Sequence, residues 1–137
     1  AEADGSKRLP MKAPADHEPC LLPGCAAVVA VAGLSALGRP LGEVCHRPHL
    51  ACALLGVGED TIVTPSLLAR LLTHEAGQFK GVGDPKKFRV LLNQADGPAE
   101  LALGRETARL IQTWLPDTRV VIAALRETDC VKEVFSC

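Results

Sequence analysis

FRVLLNQAD, Phe88–Asp96, is the stretch on which the reading of this chain turns. Its first six residues, Phe88–Asn93, are a short apolar run preceded by the loop Gly77–Lys87, which is how a buried strand reads. The run ends in Asn93-Gln94-Ala95-Asp96. A strand followed by Asn-x-x-Asp suits the reading of guanine. The Asp carboxylate accepts from the ring N–H and the exocyclic amine together, a paired contact adenine cannot supply, and the Asn braces the loop near the base oxygen. Gln94 stands where such loops usually carry a Lys whose stem lies along the ring, and a Gln stem can stack there too. Asn and Asp are also common turn formers, and Asp96-Gly97 is a turn dipeptide, so the motif needs a fold around it.

Working outward, the flanking segments supply one. CAAVVAVAG (Cys25–Gly33) reads as a buried strand ended by glycine, and RVVIAAL (Arg119–Leu125) as a third strand. Between strands, Thr64-Pro65 opens a helix, with Thr as N-cap and Pro at N1. Leu67, Leu68, Leu71 and Leu72 share one of its faces. Pro98 to Leu115 forms the longest helix, with Leu101, Ala108, Ile111 and Leu115 inward, and Pro116 closes it. A short helix is expected over His49–Leu55, and a last one, capped by Thr128, through Phe135. Leu34–Pro48 reads as irregular. Strands alternating with helices, without hairpin dipeptides, predict an α/β fold with a mostly parallel sheet and flanking helices. Residues 1–137 read as a single domain: 1–23 a loop or arm following a missing strand, 24–137 the βα core. The chain opens AEADGS with no initiator Met, so an N-terminal βα unit is expected to be missing.

Composition agrees with such a core. Of 137 residues 47% are hydrophobic, with one Trp, no Tyr and three Phe, so the interior is aliphatic. That suits parallel strands covered by helices. A net charge of −1 argues against nucleic acid as partner. No apolar run reaches the roughly 18–20 residues of a membrane span. The six cysteines form no CxxC pair or regular framework, so the cytoplasm is expected.

Other residues invite chemistry. If a strand precedes Glu2-Ala3-Asp4-Gly5-Ser6, Asp4 stands at its carboxyl end, where phosphate-loop NTPases place a magnesium-organising carboxylate. An Asp-Gly turn is the plainer reading. No GxxxxGK[ST] occurs, so nothing here cradles a triphosphate. Lys7, Arg8 and Lys12 form a basic cluster that suits an anion or a solvated loop face. Cys45, His46, His49 and Cys52 lie close in sequence, but their spacing matches no standard zinc site, so no metal is assigned. His74 suits a helix C-terminus, and nothing marks His17, in the proline-rich arm, as catalytic.

Several segments together resemble the selenium-dependent molybdenum hydroxylase accessory proteins, also described as selenium cofactor biosynthesis proteins. These are EADGSKRLPMKAPADHEP (Glu2–Pro19), VAGLSALGRPL, HRP (His46–Pro48), TPSLLARLL, FKGV (Phe79–Val82) and VLLNQAD (Val90–Asp96), in order along essentially the whole chain. That family is similar to phosphate-loop NTPases and carries a glycine-rich loop upstream of the EADGS segment. The resemblance implies a catalytic pair, Glu2 and Asp4, beside the phosphates, and a base-specificity motif at Asn93, Gln94 and Asp96, with Gln94 departing from the usual Lys. It implies binding of a nucleoside triphosphate with Mg2+, GTP by preference, in the intact protein, and no cofactor in this stretch, of which no turnover is expected. The implied partner is a selenium-dependent molybdenum hydroxylase or its cofactor-transfer enzyme, and the implied role is maturation or cofactor insertion. The alternative is a docking module of the same pathway that uses the Lys7–Pro23 arm and turns over no nucleotide. A metal or selenium carrier built on Cys45, His46, His49 and Cys52 is a third reading. A sheet left without its N-terminal strand is expected to self-associate through the exposed edge.

Overall fold

The computed structural model describes residues 4–136. It is a mixed α/β fold. Strands β2 (Val28–Gly33), β4 (Phe88–Asn93), β5 (Arg119–Ala123) and β6 (Val131–Phe135) form one sheet in the order β2-β4-β5-β6. The first three run parallel, with Val28 opposite Phe88 and Gly33 opposite Asn93. Strand β6 runs antiparallel to β5. A second, two-stranded parallel sheet pairs β1 (Met11–Lys12) with β3 (Cys45–His46).

Local chemistry accounts for the helices. Helix α3 (Pro65–Thr73) starts where expected: the Thr64 hydroxyl accepts from Leu67 N at 3.2 Å, and Pro65 occupies the first turn. Its leucines and α4 (Pro98–Trp114), whose buried stripe is Gly104, Thr107, Ala108 and Ile111, are driven together, because each helix has one apolar stripe to bury. Helix α4 packs in turn on β5. A Cβ at Gly104 would come within 3.0 Å of Leu34 Cδ1 and 3.3 Å of Ile122 Cδ1, so the missing side chain lets α4 sit close to the sheet. Phe88, Leu92, Val120, Ile122, Leu68 and Ile111 are fully buried between these layers.

Four expectations need correction. Val131–Phe135 is strand β6, not a helix capped by Thr128. The β-branched and aromatic residues of VKEVF satisfy their backbone by pairing with β5, and tertiary pairing overrides a weak capping signal. The first long strand is shorter than Cys25–Gly33 and is not buried on both sides: Ala30 and Ala32 are buried, while Val29 and Val31 are exposed. The stretch Leu34–Pro48 is less irregular than expected, holding a 3-10 turn (Leu34–Ala36), helix α1 (Leu41–Val44) and β3 ahead of α2 (Pro48–Leu55). Finally, the proline-rich arm is packed, not free. Met11, Lys12, Ala13 and Glu18 are buried, Ala13 N donates to His46 O at 3.1 Å, and Gly33 N donates to Pro10 O at 2.6 Å. Among the described residues, no helix is long and apolar enough to cross a membrane.

Candidate functional site

In parallel α/β sheets, ligands bind beyond the carboxyl ends of the strands. Here that rim is formed by the loops after β2, β4 and β5. Asn93 closes β4, and its Oδ1 accepts from Leu125 N at 3.0 Å. Ala95 N donates to Ala123 O at 3.0 Å. Together these bonds tie the Asn93–Asp96 loop to the segment after β5. Gln94 adopts φ +68°, a left-handed conformation rare for a residue with a side chain. Its Oε1 accepts from Ser35 Oγ at 2.6 Å and Ser35 N at 3.4 Å, so the side chain is held over the end of β2. Only glycine permits this at position 33, since a Cβ there would lie 2.1 Å from Gln94 Oε1 and 2.9 Å from Pro10 Cβ. Asp96, one residue beyond buried Ala95, is exposed, and among the described residues its carboxylate has no partner.

A second constellation ties the arm to β3. Arg47, left-handed at φ +63°, gives Glu18 two hydrogen bonds, Nη1 to Oε2 at 2.7 Å and Nη2 to Oε1 at 3.1 Å. Ala15 N donates to Glu18 Oε2 at 3.2 Å. The buried Lys12 ammonium lies 2.9 Å from Glu18 Oε2 as an ion pair, without a well-aligned hydrogen bond. Burial pushes the Glu18 carboxyl upward, but Arg47, Lys12 and the Ala15 amide outweigh it and hold the pKa at about 2. His46 is shifted the other way: burial first, then the charges of Arg47, Lys7 and Lys12, disfavour its protonation.

The residues singled out in the sequence are thus dispersed over two places. Asn93, Gln94 and Asp96 share the rim. Glu2 lies outside the described residues. Asp4 Oδ2 accepts from Cys20 N at 3.1 Å, bracing the arm. Lys7 and Arg8 are exposed, at φ +53° and +64°, in a turn closed by Leu9 N to Ser6 O at 3.1 Å. Lys12 is buried against Glu18. No group of three potential metal ligands gathers among the described residues. Cys45 is buried, and burial pushes its thiol up to about 11, the behaviour of a packing residue and not of a thiolate ligand. Ser35, Gly33, Glu18 and Arg47 escaped the sequence reading. Arg47 does carry one signal, a following proline, which disfavours the right-handed helical region for it.

Against known proteins, the family model described as "YqeC protein" matches residues 1–49. The chain is similar to YqeC. "Uncharacterized protein YqeC" of Escherichia coli (strain K12) is 39% identical over 82 residues, which is 59% of this chain and 32% of that protein. The chain therefore spans about a third of the length of that relative. No solved structure matches. These matches correct the resemblance to selenium-dependent molybdenum hydroxylase accessory proteins. The family that matches is described as YqeC, over residues 1–49 and not the whole chain, and neither description names selenium, molybdenum or a nucleotide. The YqeC-matching segment holds Lys12, Glu18, Gly33, Ser35 and Arg47, whereas the Asn93–Asp96 loop lies beyond it.

Proposed function

We propose that the carboxyl rim of the sheet binds a nucleotide and reads guanine through Asp96. The observation that carries this is the bond from Leu125 N to Asn93 Oδ1, which braces the loop as a base-reading Asn does and leaves the Asp96 carboxylate free. Gln94 is held by Ser35, so it lies beside the base position and not across it. Guanine preference then rests on Asp96 alone. Magnesium would come with the nucleotide, held by phosphate oxygens and by several of its own waters. The cytoplasm belongs to the same proposal, because nucleoside triphosphates are abundant there. The other expectation, a docking module using the Lys7–Pro23 arm, has less to rest on, because the middle of that arm is buried.

The test is calorimetric titration of the chain with GDP and ADP. Saturable GDP binding, absent for ADP and weakened about 10-fold or more in Asp96→Ala, is expected from the loss of a charged hydrogen-bond pair. Equal affinity for both nucleotides, or GDP binding indifferent to Asp96, would reduce Asn93–Asp96 to a turn.

A further inference from the structure

We infer that the open face of the four-stranded sheet is a docking surface for an amphipathic helix that carries carboxylates. Parallel sheets ordinarily have helices on both faces. Here α4 packs on β5, with α3 packed against α4, and the face made by Ala30, Ala32, Val90, Leu92, Val120 and Ile122 is buried, none more than 6% exposed. On the other face Val29, Val31 and Val134 are 57%, 59% and 56% exposed. These are not scattered apolar residues of the kind any surface shows. Val31 is paired in register with Leu91, Leu91 with Val121, and Val121 with Val134, so one apolar row crosses all four strands.

The next row decides what covers it. Val29 is paired with Arg89, and Arg89 with Arg119, which sets two arginines at neighbouring register positions below the apolar row. Arg89 Nη1 donates to the carbonyls of Lys86 and Phe88, and among the described residues no carboxylate pairs with either arginine. The acid of these strands, Glu133, faces the other side, where Arg105 Nε donates to its Oε1 at 2.6 Å. An occupant that complements this face therefore has an apolar stripe flanked by Asp or Glu. A second copy is a poor fit, since two-fold packing of this face on itself brings both pairs of arginines into one interface without an acid. Size favours a helix. Three inter-strand spacings of about 4.8 Å make a row of about 14 Å, which about ten helical residues at 1.5 Å each would span.

The experiment titrates the full chain with two synthetic 15-residue helical peptides sharing one leucine stripe, flanked by Glu in one and Lys in the other. Methyl NMR is the readout. The Glu peptide is expected to shift the methyls of Val29, Val31, Leu91, Val121 and Val134 and to bind at least tenfold tighter than the Lys peptide. R119E, at an exposed position that leaves the fold intact, is expected to abolish that preference, and R89E/R119E to reverse it. Equal binding of the two peptides, no binding, or shifts confined to other residues would overturn the inference. So would concentration-dependent dimerisation by light scattering that perturbs these same methyls, because the occupant would then be a second copy.

Discussion

Arg47 and Glu18, 29 positions apart in the chain, form a two-pronged pair at 2.7 and 3.1 Å that fastens the proline-rich arm to the end of β3. Lys12 completes the cluster with its ammonium buried. Removing the carboxylate strands that cation away from water. Glu18→Ala is therefore expected to cost about 3–5 kcal/mol, the range for breaking a buried pair from one side. Urea unfolding checks this. A midpoint close to wild type would mean that the arm is not held by this pair.

The same carboxylate makes stability depend on pH. Its pKa is held at about 2, below the ordinary value of 4.5, so between those values the unfolded chain binds more protons than the native one. Stability then rises with pH in that window. The Glu18 contribution is fully present above about pH 4.5 and is lost as pH falls toward 2. Denaturation curves of wild type and Glu18→Gln should converge on acidification. A constant gap from pH 7 to pH 2 would contradict the assignment.

At the rim, Asn93→Ala removes the acceptor of Leu125 N. A single hydrogen bond at a half-buried position is worth about 1 kcal/mol, so the fold should survive. The expected signature is local: faster amide hydrogen exchange at Leu125 and weaker nucleotide binding. An unchanged exchange rate at Leu125 would show that the loop is braced by other contacts.

Gly33→Ala places a methyl 2.1 Å from Gln94 Oε1. The Gln94 side chain must leave Ser35, at a cost of about 1–3 kcal/mol for an overpacked site. Removing the obstacle with Gln94→Ala should recover part of that loss. Strict additivity in the double-mutant cycle would show that the two residues do not meet.

Much of the fold was legible because its signals are local. Phe88–Asn93 is the strand its apolar run predicts, and Thr64-Pro65 starts α3 as N-cap and first-turn residue. The candidate base loop was legible for the same reason, since Asn93 and Asp96 lie three positions apart at the end of one strand. The sequence presents Gln94 as a residue whose stem can stack on a base, yet it is held by Ser35, 59 positions away, a contact no local pattern encodes. Lys7, Arg8 and Lys12 looked like one basic cluster, but a turn exposes the first two and the core takes the third.

By itself, then, the sequence determined the α/β class, the parallel core of β2, β4 and β5, and the helices α3 and α4. Hydrophobic spacing and capping act over a few residues and can be read without knowing what lies opposite. Only the tertiary structure decided that Val131–Phe135 is a strand, that Glu18 meets Arg47, and that one face of the sheet is left open. Each of those depends on which distant segment comes to lie alongside, because backbone pairing, burial and charge are settled between neighbours in space and not in sequence.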